Sequence, residues 1–108
     1  MYTNVMEDLD SKIRELSELD RVSLIRELVL MDAGYQHQYR IGRRAHLGST
    51  ERYRGDEAHA RSERLGRIIY FLRFRSPAEY ATADDMKLYK ELAEKLQAKG
   101  QWTEIIPI

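Results

Sequence analysis

No cysteine occurs anywhere in the sequence. That absence removes disulfides, thiolate zinc sites and cysteine nucleophiles together, and is compatible with a reducing compartment. Long apolar runs are missing as well. The longest, Leu28 to Met31 and Ile68 to Leu72, fall far short of the ~20 residues a membrane span needs. The opening residues MYTNVMEDLD turn acidic at once and hold no apolar core of a secretory signal. These features predict a cytoplasmic chain with no membrane partner. Phosphate-cradling loops are absent too. Gly34, Gly42, Gly48 and Gly55 match neither the dinucleotide fingerprint nor the P-loop spacing, and no lysine stands where the P-loop requires one.

Lysine is also missing from one long stretch, and there arginine takes its place. Gly34 to Arg75 carries ten arginines (Arg40, Arg43, Arg44, Arg52, Arg54, Arg61, Arg64, Arg67, Arg73, Arg75) against four acids, Glu51, Asp56, Glu57 and Glu63, a net +6. Residues 1–33 hold four basic and eight acidic side chains, a net −4, and residues 76–108 hold four and six, a net −2. The overall charge of zero therefore hides a basic middle between two acidic ends. Arginine forks onto phosphates and carboxylates and stacks on rings, so a single-sign surface of this kind bears on partners rather than on fold.

The remaining bulk numbers describe an ordinary folded chain. With 43% apolar and 33% charged residues over 108 positions, one domain with a single core is expected across residues 1–108. Apolar residues at Val5, Leu9, Ile13 and Leu16 trace one face of a first helix. Ser17 with Asp20 resembles a capping box and predicts a second helix from about residue 18 to 33, ended by Gly34. Leu24, Ile25, Leu28, Val29 and Met31 give it a broad apolar stripe suited to the centre of a bundle.

From Gly34 to Gly55 the pattern fails. Apolar residues thin out and Gly34, Gly42 and Gly48 fall close together, which predicts a long basic loop rich in arginine and tyrosine, or one interrupted by a short helix over Ser49–Arg54. Asp56 then caps a third helix to about Phe74. A strand over 67–74 is the alternative, since IIYFLRF is rich in β-branched and aromatic types. Ser76-Pro77-Ala78-Glu79 reads as a helical turn, and Thr82 with Asp85 opens a last helix over about 83–99. Gly100 ends it with a left-handed residue, and Trp102 sits where such an end places an apolar contact.

The fold expected is all-α, a small bundle of about four helices with a long basic connection between the second and third. Three sets of residues are candidates for function. Arg40, Arg43, Arg44, Arg52, Arg54, Arg61, Arg64 and Arg67, interleaved with Tyr35, Tyr39 and Tyr53, suit RNA or single-stranded DNA, because guanidinium groups neutralise phosphates while rings stack on unpaired bases. Exposed ion pairs contribute only about 0–1 kcal/mol each, so stability alone gives little reason to gather so many arginines. The same arginines could instead meet an acidic protein surface.

The second set, Leu24, Leu28, Met31, Trp102, Ile105, Ile106 and Ile108, is apolar and would serve a homodimer or partner interface, with the C-terminal tail docking in a groove. Core packing is its plainer reading. The third, His37, His46 and His59, lacks the tight spacing of metal ligands or a catalytic pair. His59 and Glu63 stand four apart, but two ligands do not make a site. The sequence thus points to a non-catalytic binding protein with no cofactor and no metal.

Overall fold

The computed structural model describes residues 5–102. Its elements are four helices, α1 (Val5–Leu16), α2 (Arg21–Arg43), α3 (Thr50–Phe74) and α4 (Ala83–Ala98), with no strand among the described residues. The expected all-α bundle is what forms, and the stretch 67–74 is helical throughout.

Two of the expected boundaries are corrected, and both corrections lengthen helices. Gly34 does not end α2, which runs on to Arg43, and α3 starts at Thr50 rather than after Asp56. The long basic connection shrinks to residues 44–49. A glycine inside a helix costs about 1 kcal/mol, and here packing across a helical hairpin offsets that cost. Gly42 and Gly55 face each other so closely that a Cβ on Gly42 would lie 2.8 Å from the Gly55 Cα and 2.8 Å from the Glu51 carbonyl oxygen. Gly42, which looked like loop punctuation, is with Gly55 the point where two helix backbones touch.

Capping explains the other ends. Asp20, not Ser17, caps α2: its carboxylate accepts from Ser23 N at 2.7 Å. Ser17 lies in the preceding turn, where its hydroxyl donates to the Arg14 carbonyl and accepts from Lys95 Nζ. Ser49 caps α3 by accepting from Arg52 N. The Thr82–Asp85 capping box is present in both directions. Gly100 has φ +74°, and Gln101 N donates to Leu96 O and Gly100 N to Gln97 O, the Schellman pattern that the sequence suggested. Ser76–Glu79 does not form a helical turn. It belongs to a connection closed by a bond from Ala81 N to Ala78 O, with Arg75 and Tyr80 at positive φ.

The core occupies one end of the molecule. Leu9 and Ile13 of α1, Leu24 and Leu28 of α2, Leu65, Ile68, Phe71 and Leu72 of α3, and Leu88, Tyr89, Leu92 and Leu96 of α4 are fully or almost fully buried together, with Trp102 closing the cluster. Trp102 packs against Phe71, which in turn stacks on Tyr89 with 4.2 Å between ring centroids. Most of the contribution of the two long helices comes from the first half of α2 and the second half of α3, with Tyr35 packed at the edge of the cluster. Their other halves extend beyond this core as a two-helix arm: α3 alone is about 37 Å long, against about 18 Å for α1, and the molecule measures 48 × 26 × 25 Å.

Candidate nucleic-acid interface

The arm is held by a polar and aromatic seam in place of aliphatic packing. From the core outward, Ser62 donates to Asp32, the Arg61 guanidinium lies 5.6 Å from the Tyr35 ring centroid, and Tyr39 stacks on His59 at 4.2 Å. Beyond the Gly42–Gly55 contact, Arg52 donates to the Arg43 carbonyl. Arg43 also reaches back over Tyr39, at 5.8 Å. His59 Nε2 sits 2.6 Å from Glu63 one turn on.

Antiparallel pairing through this seam brings the expected arginines to one end. Arg40, Arg43 and Arg44 project exposed from the end of α2, Arg54 projects exposed from α3, and Arg52 and Arg61 are half-buried beside them. Among the described residues none of these six has a carboxylate within ion-pair distance. Glu51, Asp56 and Glu57 are the only acids between Gly34 and Arg61, so the arm carries a net +3. Tyr53 is 59% exposed, and Ile41 and Leu47 stand out at 49% and 84% on the same arm.

Helix electrostatics account for part of this charge and not for the rest. Arg40 and Arg43 lie in the last turn of α2, where cations complement the negative pole of the helix. Arg52 lies in the first turn of α3, where the positive pole opposes it. Such a placement costs a few tenths of a kcal/mol up to about 1, against which the bond from Arg52 to the Arg43 carbonyl at the negative end of α2 acts in the other direction.

Two of the expected contact residues are engaged within the bundle, Arg64 in its interior and Arg67 at the margin. Arg64 is 3% exposed; its Nε and Nη2 donate to the two oxygens of Asp10, each at 2.9 Å, and its Nη1 to Asp85 Oδ1. Arg67 Nε donates to Asp85 Oδ2 at 2.6 Å. This cluster ties α3 to α1 and α4, and Asp85 adds it to its capping role at the start of α4. Arginines one and two turns apart look alike in sequence, and only the aspartates of distant helices separate the ion-paired two from the surface set.

Tyr35 and Tyr39 are likewise half-buried in the seam, which leaves Tyr53 as the exposed ring of the three. Sequence reasoning missed the seam itself. Its signal was present in the spacing of Tyr35, Tyr39 and Gly42 along one helical face and of Gly55, His59 and Ser62 along another.

The apolar interface set is mostly the molecule's own core. Leu24 and Leu28 are fully buried and Trp102 is 2% exposed, while Met31 packs half-buried against the same cluster. Ile105, Ile106 and Ile108 lie outside the described residues. No helix among the described residues is long and apolar enough to cross a membrane. Comparison with protein-family models, curated proteins and solved structures finds no match, so the functional reading rests on these residues and their geometry.

Proposed function

We propose that the protein is a non-catalytic binding module whose basic arm contacts RNA or single-stranded DNA within a larger assembly. The observation that carries this reading is the set of six arginines, Arg40, Arg43, Arg44, Arg52, Arg54 and Arg61, gathered on one arm without carboxylate partners of their own. Their guanidinium groups neutralise phosphates, and the exposed Tyr53 ring supplies a stacking surface for an unpaired base. Arg64 and Arg67 take no part, because Asp10 and Asp85 already occupy them.

The test is the salt dependence of binding to a labelled single-stranded oligonucleotide. Four phosphate contacts give a slope of log affinity against log salt of about −2.8 for a single strand and about −3.6 for duplex DNA. A slope near zero, or no binding at low salt, removes the proposal. The rival, an adaptor or inhibitor whose arginines meet an acidic protein, predicts a co-purifying partner that survives nuclease. A tail-docking version anchored on Trp102 loses its anchor, since that ring is committed to the core against Phe71.

A further inference from the structure

A second surface lies at the core end, away from the arginine arm. Val22, Ile25, Val29 and Leu30 fall at helical spacing along one side of α2, and with Arg26 and Arg73 they line a shallow groove of about 350 Å³. Val22 and Leu30 are 62% and 61% exposed. An aliphatic strip of this kind on a helix that already buries Leu24 and Leu28 on its other side is surplus to the core.

Charge narrows what covers it. Of the six lining side chains two are arginines and none is acidic. Neither guanidinium has a carboxylate in ion-pair range among the described residues; Asp20, whose charge is held first by the Ser23 amide and only to a lesser degree by Arg26, is committed to the cap of α2. A two-fold dimer through this face would bring four guanidinium groups into one closing interface whose lining side chains include no carboxylate. Like charges so placed are strongly unfavourable. An apolar segment flanked by carboxylates satisfies both the strip and its edges.

We propose that this groove docks an acidic amphipathic helix of a partner protein, its apolar stripe on Val22, Ile25, Val29 and Leu30 and its carboxylates on Arg26 and Arg73. The site is separate from the arm, and stands or falls without it. From Val22 to Leu30 is about 12 Å along α2, so a helix of two to three turns fills the strip.

The experiment uses the full chain and two labelled helical peptides of about 14 residues, one with leucines at helical spacing flanked by glutamates and the other with the same leucines flanked by lysines. Fluorescence anisotropy should show the glutamate peptide binding at least about tenfold more tightly, with the difference shrinking as salt rises. Arg26→Glu with Arg73→Glu, both at the surface, should reverse the preference, and Leu30→Asp should abolish binding of both peptides while the circular dichroism spectrum is unchanged. No binding of either peptide at about 1 mM, or a preference that charge reversal leaves unaltered, overturns the proposal. Binding that emerges only once residues 103–108 are removed would assign the groove to the chain's own segment and overturn it too.

Discussion

Replacing Asp85 by alanine is the severest single test of how this bundle is held. The Asp85 side chain is fully buried and its two oxygens serve three donors: Arg64 Nη1 on one oxygen, Arg67 Nε and Thr82 N on the other. Removing it leaves Arg64, itself 3% exposed, with Asp10 alone, strips Arg67 of its carboxylate and takes away one half of the α4 capping box, the bond from Thr82 N, while the Thr82 hydroxyl still accepts from the amide of residue 85.

Breaking a buried pair from one side costs about 3–5 kcal/mol, chiefly because the surviving charge stays buried. The lost bond from Thr82 N belongs to the same carboxylate and is not added separately. Against a total stability of about 5–15 kcal/mol for a domain, this is a large fraction. At about 4 °C per kcal/mol for a domain of this size, the melting temperature should drop by about 12–20 °C.

Asp10→Asn is the comparison, since it leaves Arg64 its bond to Asp85 and its side chain is already 16% exposed. About 1–3 kcal/mol is expected there. Urea unfolding of the three proteins, followed by circular dichroism, measures both losses. A cost below about 1 kcal/mol for Asp85→Ala, or a larger one for Asp10→Asn, would falsify the claim that Arg64 is an interior group whose charge the bundle must neutralise.

Other outcomes follow from the same contacts. Gly42→Ala should destabilise by about 1–3 kcal/mol through overpacking against Gly55, whereas Gly34→Ala and Gly66→Ala, where a Cβ meets nothing within 4 Å, should stabilise by up to about 1 kcal/mol; thermal melts that rank the three alike would contradict the close helix approach. Tyr89→Phe should cost about 1 kcal/mol at neutral pH by removing the bond from its hydroxyl to the Arg67 carbonyl. Burial, followed by the charge of Asp85, raises the Tyr89 pKa above its ordinary value. Its contribution is therefore complete below the ordinary tyrosine pKa and fades as pH rises through the raised one, so alkaline titration of stability should bring wild type and Tyr89→Phe together. In oligonucleotide binding, Arg40→Ala, Arg44→Ala and Arg54→Ala should each lower the salt slope by about 1 and change the melting temperature little, whereas Arg64→Ala should lower the melting temperature and leave the salt slope of the folded protein unchanged.

Much of the architecture was legible in the residues themselves. The steps from Leu9 to Leu16, the Thr82–Asp85 box and the Gly100–Trp102 end are local signals, set by backbone hydrogen bonding within a few positions, and they placed α1 and α4 to within a residue or two. The arginine excess was equally plain, because composition needs no partner to be counted. What the sequence could not show was that Gly34 to Gly55 is helix for most of its length. Arginine is a good helix former, but the glycines, tyrosines and histidines of these segments lower their propensity, and the helices persist because each covers the other: Gly42 against Gly55, Tyr39 against His59.

The sorting of the arginines was decided in the same way. Arg61, Arg64 and Arg67 follow one another at three-residue steps on α3, yet Arg64 is interior, Arg67 sits at its margin and Arg61 belongs to the arm. The difference lies in Asp10 and Asp85, which come from 54 and 21 positions away in the chain. Local periodicity determined which segments coil and how much charge they carry; packing between distant segments determined which charges are neutralised inside and which stay at the surface, since burial and ion pairing depend on contacts that no local window contains.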